Sequence, residues 1–390
     1  MTRAASRRAV ITGLGLVTAL GDANDVVWER LLAGHSAARA WDDLAAEGFP
    51  VTVACRVPGD VGEADPTRRG RAMARRAVSS ALSSAGLGPA ALPPARTGVM
   101  VGTTMGESAG FEASAAGAAV DLGAVSGQVV AADLAGWLGV AGPQRTFGTA
   151  CAAGNYAIGA AARSVTAGRA EVVLAGGVDP FSRIALLGFA RLRAMSSERC
   201  RPFDAGRDGM QLGEAAAFVV VEDEAHAVAR GAELLAVVAG LGLTGDAHHP
   251  TSPRSDGSGM AAAVVAGLDA ARARPGEVGW VNAHGTGTVA SDAAEARALA
   301  DVFGAGAVPV SSQKGAFGHC LGAATAVEAV VSVLALGAGL VPPTAGLRAV
   351  DPALAIDAVV EARPVRRRGW VVSCGFAFGG LNSALVLGAP

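Results

Sequence analysis

Lysine is almost absent from this chain, and so are features that would place it in several other protein classes. Lys314 is the one lysine among 390 residues, only 17% of the residues are charged, and the net charge is −2 at pH 7. A chain this close to neutral gives no sign of the basic surface that binds nucleic acid or anionic membranes. The five cysteines are widely scattered and odd in number, so they do not form a disulfide framework.

Long hydrophobic runs are also missing. The longest apolar segment, residues 329–341, is shorter than the roughly 20 residues that cross a bilayer. Three arginines lie in the first eight residues, but the apolar run that follows is short and broken by glycine, which argues against a signal peptide. The adjacent His248 and His249 have no carboxylate or cysteine at ligand spacing. We therefore predict a soluble, cytoplasmic, reduced protein without a metal or cofactor.

What the chain does have is a repeated order of apolar, strand-like segments. Residues 8–18 resemble 236–244, 97–102 resemble 278–283, the strand before Cys151 resembles 308–312, and 170–177 resemble 369–375. Glycine and valine are common enough for one such match to arise by chance, but four matches in the same order indicate two duplicated halves. We divide the chain into residues 1–240 and 241–390. Strands that alternate with helices predict an α/β fold of mostly parallel sheets covered by helices on both faces.

Cys151 lies in a turn of small residues, from Gly148 to Gly154, at the start of a predicted helix. The unpaired N–H groups and positive dipole end of a helix favour an anion there. We therefore predict that the pKa of the Cys151 thiol is lowered and that the thiolate is a nucleophile. A free cysteine is more often a small buried hydrophobe, so this residue alone decides little.

Two histidines strengthen the case for a site, because each follows a predicted strand. His284 lies in the segment 282–288 and His319 in the segment 314–324. Sites in α/β proteins form where the loops at the carboxyl ends of strands converge, and the duplication places the Cys151 and His319 turns at equivalent positions. A thiolate can attack a thioester and hold the acyl group, and two neutral imidazoles can stabilise an enolate oxygen. A protease would need one histidine as base and a third residue to orient it.

A further glycine-rich strand exit, residues 375–380, carries backbone N–H groups that could complete an oxyanion hole with that of Cys151, although a tight turn explains the glycines equally well. Together these segments resemble the beta-ketoacyl-acyl carrier protein synthases of the thiolase-like condensing enzymes. The resemblance covers nearly the whole chain and rests on residues 149–151, 201–204, 207–209, 282–286, 314–322 and 376–382. It implies a five-layered αβαβα fold of two duplicated halves related by a pseudo-twofold axis.

The resemblance also implies a reaction. Cys151 takes an acyl group from acyl carrier protein, and His284 and His319 assist decarboxylation of the malonyl extender, whose carbanion then attacks the acyl group. Lys314 and Glu328 would support the histidines, and Cys151 and Phe376 would form the oxyanion hole and gate. The remaining implied residues are an acyl tunnel of Met105, Phe189, Phe376 and Phe378, polar support from Thr286 and Thr288, and carrier-protein docking at Arg68, Arg69, Arg71 and Arg201. The helix that carries the first arginines could equally be an ordinary solvated face.

Three departures from fatty-acid enzymes point to polyketide or other secondary metabolism. The stretch between Gly106 and Val129 is short, Leu381 replaces a usual threonine, and Cys151 is followed by residues 152–155 of an unusual pattern. The implied enzyme is a homodimer or a heterodimer with a similar subunit. Two alternatives stay open at this point. One is a coenzyme A-dependent thiolase with a second cysteine near the C-terminus, such as Cys374, and the other is a non-elongating chain-length subunit, which would lack the nucleophile.

Overall fold

The structure is a computed structural model that describes residues 7–63, 65–365 and 369–390. Most of the basic N-terminal segment from which we exclude a signal peptide, residues 1–6, lies outside the described residues.

The strands and helices alternate along the chain, as the sequence predicts. The strands are β1 (Ala9–Thr18), β2 (Arg39–Ala40), β3 (Val53–Ala54), β4 (Thr97–Gly102), β5 (Gln144–Phe147), β6 (Val172–Asp179), β7 (Ala215–Asp223), β8 (Ala236–Gly245), β9 (Val278–Asn282), β10 (Pro309–Ser311), β11 (Leu340–Val341), β12 (Asp357–Ala358), β13 (Arg363–Pro364), β14 (Trp370–Ala377) and β15 (Leu381–Gly388). The helices are α1 (Asn24–Leu32), α2 (Asp42–Ala46), α3 (Arg69–Ser84), α4 (Ser108–Ala115), α5 (Gln128–Leu138), α6 (Ala153–Thr166), α7 (Arg183–Arg191), α8 (Glu224–Ala229), α9 (Ser258–Ala271), α10 (Val289–Phe303), α11 (Lys314–Phe317) and α12 (Ala324–Ala338).

The main sheet confirms the duplication. Within the described ranges it contains eleven strands in the order β12-β10-β9-β14-β15-β8-β1-β7-β6-β4-β5. The five strands β5-β4-β6-β7-β1 and the five strands β10-β9-β14-β15-β8 follow the same order, which matches all four predicted strand pairs and adds β7 with β15. The seam between the halves is narrow, because β1 and β8 pair only through Val10 with Val237 and Ile11 with Ala236.

The prediction of mostly parallel sheets is wrong for half of the pairings. β4 is parallel to β5 and β6, but β7 runs antiparallel to both β6 and β1. The second half repeats this pattern, with β15 antiparallel to β14 and β8. The physical reason is clearest at β14 and β15, which are joined by the short turn Phe378–Gly380. A turn of that length reverses the chain and can connect only antiparallel strands.

The helices form three layers around the two groups of strands, which confirms the five-layered αβαβα arrangement. α3 and α5 cover the outer face of the first half, and α9 and α10 cover the outer face of the second. α6 and α12 lie between the halves and contact each other as well as strands of both. Their contact is close, because a Cβ at Gly154 would overlap the backbone nitrogen of Ala326.

The central helix also explains the most apolar segment of the chain. Residues Leu321–Ala338 are long and apolar enough to cross a membrane, but 83% of this segment is buried inside the molecule. The burial is that of a core helix that lies between the two groups of strands. The division of the chain at residues 240 and 241 stays a prediction, and it would fall within β8, the strand that opens the second set.

Candidate active site

The two turns that the duplication relates have the same backbone design. Cys151 lies in the 3-10 turn Ala150–Ala152 just before α6, and the 3-10 turn Leu321–Ala323 just precedes α12. In each turn the first residue is a non-glycine in the left-handed region, with φ of 47° at Ala150 and 49° at Leu321. L residues adopt this conformation at a cost, and such strain clusters at functional sites. The sharp turns direct Cys151 and His319 into one buried space between the halves.

His319 contacts the cysteine directly. Its Nε2 atom lies 3.0 Å from the Sγ atom of Cys151. Its other ring nitrogen, Nδ1, accepts a hydrogen bond from the backbone N–H of Leu321 at 3.2 Å. In a neutral imidazole one nitrogen accepts and the other donates, so the ring proton is on Nε2 and points at the sulfur.

His284 completes the group from a different strand. The centroid of its ring lies 5.6 Å from that of His319, and the two rings are nearly perpendicular. The carboxylate of Glu295 accepts hydrogen bonds from the backbone N–H groups of His284 and Gly285, both at 2.7 Å, and so fixes the loop after β9. Burial, and then the Lys314 ammonium, hold the pKa of both histidines well below the usual value, so both imidazoles are neutral at pH 7.

Lys314 lies next to this pair in a buried ion pair. Its Nζ atom is 2.5 Å from an oxygen of Glu328 and donates to the backbone carbonyl of His284 at 2.5 Å. Both side chains of the ion pair are only 2% exposed. Burial raises the pKa of Glu328, and the charge of Lys314 opposes the rise. The single lysine of the chain therefore places a positive charge behind both imidazoles.

The prediction of a lowered thiol pKa is wrong. Burial raises the pKa of Cys151 to about 11, while the Lys314 ammonium and the backbone N–H groups of Phe378 and of Cys151 itself act in the opposite direction. Apart from its contact with His319, Cys151 packs in an apolar cluster with Ala152, Ala377 and the partly buried Leu381. Burial destabilises the charged thiolate by more than the N–H groups at the start of the helix stabilise it, so the net effect is a raised pKa. In the resting protein Cys151 is a thiol.

The predicted oxyanion group and gate also need correction. The backbone N–H near the sulfur belongs to Phe378, two residues beyond the predicted Phe376. Phe376 is inside β14, where it is paired with Asn382, and its ring packs against His284 with a centroid distance of 6.2 Å. Phe378 begins the turn after β14, and its ring lies 5.6 Å from that of Phe189 and is partly exposed. The aromatic pair at the entrance is therefore Phe189 with Phe378.

A cavity of about 330 Å³ joins these groups to the surface. The predicted residues that line it are Cys151, His284, His319, Phe189, Phe376, Phe378, Thr286 and Thr288. Leu192 and Arg193, which are exposed residues, also line it. Met105, predicted to line the acyl tunnel, does not line this cavity and instead packs with a separate apolar cluster that includes Leu186 and Leu321.

Two of the predicted docking arginines have their charge engaged inside the molecule. Arg69 pairs with the buried Glu214 at 2.5 Å, and Arg71 pairs with the buried Glu107 at 3.2 Å. Arg201 donates to the carbonyl of Gly206. Arg68 pairs with the exposed Asp65 at 3.4 Å, but 60% of its side chain is exposed, so its outer side could still meet a partner.

The structure also shows support residues that the sequence reasoning missed. The motif 201–209 holds the His284 loop: the N–H of Phe203 and that of Gly287 donate to Asp292, and Arg207 lies 3.5 Å from the same carboxylate. Asp292 and Glu295 could have been suspected as acidic residues three apart on an apolar helix. Asp179 at the end of β6 could have been found by the strand-exit rule that found His284.

Comparison with known proteins shows what this arrangement is similar to. A family model described as the beta-ketoacyl synthase N-terminal domain matches residues 6–227, and the corresponding C-terminal domain matches residues 235–348. The chain is 37% identical to 3-oxoacyl-[acyl-carrier-protein] synthase 2 of Rhizobium meliloti (strain 1021), with 98% of each chain covered. It is 35% identical to the putative polyketide beta-ketoacyl synthase 1 of Streptomyces cyaneus, with 99% of each covered. Among solved structures, the ishigamide ketosynthase/chain length factor matches with a TM-score of 0.93 and 35% identity, covering 99% of this chain and 100% of that one.

Proposed function

Because the chain belongs to the beta-ketoacyl synthase family, we propose that it is a condensing enzyme that extends acyl groups carried by acyl carrier protein. The observation that carries the proposal is the meeting of the Cys151 sulfur with the rings of His284 and His319 in one cavity, although the three residues come from different halves of the chain. A sulfur nucleophile and two neutral N–H donors are the groups that decarboxylative condensation requires.

In the acyl-transfer step, the Cys151 sulfur attacks the thioester carbonyl of the acyl carrier protein. A new carbon–sulfur bond forms, the old one breaks, and the thiol proton goes to the departing carrier sulfur. The N–H groups of Cys151 and Phe378 would stabilise the oxyanion in this step. His319 is a donor here rather than a base, because its Nδ1 accepts from Leu321 and its Nε2 carries the proton.

In the second step the malonyl thioester binds with its carbonyl oxygen between the two imidazoles. Loss of carbon dioxide leaves an electron pair on the neighbouring carbon, and the N–H groups of His284 and His319 would stabilise the resulting enolate. That carbon then attacks the acyl carbonyl on Cys151, the carbon–sulfur bond breaks, and the product leaves as beta-ketoacyl carrier protein. The Cys151 sulfur departs as a thiolate and takes one proton from water, which restores the resting thiol. Burial lowers the pKa of both rings, and Lys314 adds to this effect, because a second positive charge beside it is unfavourable.

The carrier protein would dock at the end of α7, next to the cavity mouth. Arg191, Leu192 and Arg193 are exposed there, and the last two line the cavity. A carrier protein is acidic, so arginines beside the entrance would attract it and place its prosthetic arm over the opening. Arg68 would add a contact from the 3-10 turn just before α3. This surface replaces the predicted patch that included Arg69 and Arg71.

A second ketosynthase-like chain would cover the edge of the main sheet. β5 ends the sheet order and, within the described residues, pairs only with β4. An open strand edge of this kind exposes unpaired N–H and C=O groups that another strand can satisfy. Relatives whose structures are described as a ketosynthase with its chain length factor assemble in pairs. We infer a homodimer or a heterodimer in which this chain, which keeps all three reacting side chains, is the catalytic subunit.

We propose a polyketide-type role in secondary metabolism. Leu381, which replaces the usual threonine, packs in the apolar group around Cys151 and makes the acyl site less polar. The thiolase alternative loses support, because Cys374 is fully buried within β14 in a different apolar cluster. We further propose a soluble cytoplasmic protein whose halves, residues 1–240 and 241–390, carry the cysteine and the two histidines respectively.

The experiment that tests this function compares two cysteine variants on acyl- and malonyl-loaded carrier protein. We expect Cys151→Ala to lose acyl loading and condensation but to keep release of carbon dioxide from the malonyl carrier, because both histidines remain. Cys374→Ala is the matched control and should condense like the parent. Condensation by Cys151→Ala at the parent rate would contradict the proposal, and cleavage that needs coenzyme A without release of carbon dioxide would favour a thiolase.

A further inference from the structure

Asp179 is a fully buried carboxylate whose contacts in the described structure are with neutral groups. It ends β6, and its oxygens accept hydrogen bonds from the hydroxyl of Thr103 at 2.8 Å and from the backbone N–H groups of Thr104 at 2.9 Å, Met105 at 2.8 Å and Gly322 at 2.6 Å. A buried charge is costly unless hydrogen bonds satisfy it, and here backbone N–H groups do so. We therefore ask what a buried carboxylate with four hydrogen-bond donors does at this position.

The donors come from segments that are more than 200 positions apart in the chain. Residues 103–105 follow β4, whereas Gly322 belongs to the turn after His319. The two segments are pressed together, because a Cβ at Gly322 would lie 2.7 Å from the Cα atom of Thr103. Asp179 therefore joins the Met105 segment of the first half to the His319 turn of the second.

The contact reaches His319 through one intervening residue. Leu321, just before Gly322, holds the left-handed backbone that L residues avoid, and its N–H donates to Nδ1 of His319. If Gly322 were not held by Asp179, Leu321 would be free to relax and its N–H would turn away. The ring proton of His319 could then move to Nδ1, and Nε2 would lose the hydrogen that faces Cys151.

We propose that Asp179 is a positioning residue that locks the Leu321–Gly322 turn and thereby keeps the Nε2–H of His319 directed into the reaction site. The effect of this positioning on the reaction rests on the condensing function proposed above, because there the enolate needs the Nε2–H donor of His319. A role in activating the nucleophile does not fit, because the negative charge of Asp179 raises the pKa of Cys151. Burial raises the pKa of Asp179 itself to about 6, so the carboxylate is charged at neutral pH.

The test compares Asp179→Asn with a matched control, Glu222→Gln. Glu222 is also fully buried, and it lies opposite Val172 at the other end of the β6–β7 pair, whereas Asp179 lies opposite Ala215. Glu222 pairs with Arg230 and contacts His226, so the control is at least as severe a loss of buried contacts as Asp179→Asn. The two sites are about 20 Å apart at roughly 3.3 Å per residue. The imidazole nitrogens are observed by NMR of protein labelled with ¹⁵N in histidine, and the His319 signals are assigned by their loss in His319→Ala.

We expect the parent and Glu222→Gln to show one neutral tautomer of His319 with the proton on Nε2. Asp179→Asn should show a mixture of tautomers and release carbon dioxide from malonyl carrier protein at least tenfold more slowly than Glu222→Gln. A single Nε2–H tautomer in Asp179→Asn, with a rate equal to that of the control, would overturn the proposal. If the parent itself releases no carbon dioxide, the proposed function fails, while the tautomer comparison still decides the role of Asp179.

A second variant keeps the test decisive if Asp179→Asn does not fold. Thr103→Val removes the hydroxyl that donates to Asp179 and keeps the shape of the side chain. With one donor lost, the carboxylate should hold the turn less firmly, so the second tautomer of His319 should appear at a lower level. A spectrum and a rate of carbon dioxide release identical to those of the parent would count against the positioning role.

Discussion

Variants of the buried ion pair between Lys314 and Glu328 should change the stability of the protein and its condensation rate in different ways. Its atoms are 2.5 Å apart and both side chains are almost completely buried. Removing one partner leaves the other as an unpaired buried charge, which costs about 3–5 kcal/mol. We therefore expect Lys314→Met and Glu328→Gln each to lower the free energy of unfolding by about that amount.

The double variant should behave differently. With both charges gone, no unpaired ion remains, and neutral replacement of a buried pair is often close to neutral in stability. We expect Lys314→Met/Glu328→Gln to lie within about 2 kcal/mol of the parent, which gives a coupling energy of about 4 kcal/mol or more in the double-mutant cycle. Urea unfolding of the four proteins under one set of conditions measures the cycle.

Catalysis should not return with stability. Lys314 lowers the pKa of both histidines and opposes the rise in the pKa of Cys151. Its loss therefore raises the pKa of Cys151 further, so that less thiolate is present at pH 7.5 and condensation stays slow in the double variant. The reasoning would be refuted if the single variants were within 1 kcal/mol of the parent, or if the double variant condensed at the parent rate.

Three further outcomes follow from the site and the core. Alkylation of Cys151 by iodoacetamide should speed up about tenfold per pH unit between pH 7 and 10, because burial raises its pKa to about 11, and a plateau below pH 8 would contradict this. Arg193→Glu should raise KM for carrier-bound substrates at least fivefold and leave KM for a small acyl thioester unchanged. Equal KM changes for both substrates would show that Arg193 is not part of the docking surface. Arg69→Ala should instead lower the free energy of unfolding by about 2 kcal/mol, because it leaves Glu214 unpaired. Gly154→Ala should yield little folded protein, because the added Cβ overlaps the backbone of α12, and a normal yield with the parent unfolding midpoint would show that the helices can separate.

The sequence predicted the duplicated halves and the side chains that meet in the cavity. Strand exits can be recognised from local patterns, and they located Cys151, His284 and His319. The same patterns say nothing about partners that are distant in the chain, so the pairing of Arg69 with Glu214, 145 positions away, was missed and Arg69 was assigned to a docking surface. The thiol pKa was wrong for a related reason, since the sequence marks the helix start but does not show how completely other segments exclude water.

The oxyanion group was misplaced by two residues, which shows the limit of motif matching. Phe376 and Phe378 occupy the same glycine-rich segment, and only the register of β14 against β15 shows that Phe376 is inside the ladder and Phe378 at the turn. Such a register depends on β15, which pairs with β8 as well, and a linear motif does not contain that information.

The narrow seam between β1 and β8 bears on how the newly synthesised chain becomes active. The ribosome completes the cysteine-bearing portion before either imidazole of the site exists, and until α12 packs on α6 the sulfur lacks its contact with His319. An unfinished molecule therefore lacks the two imidazoles that stabilise the enolate and should not release carbon dioxide from malonyl units. Activity would appear as a single event when the last strand closes the sheet, and separately produced halves should gain it only on mixing.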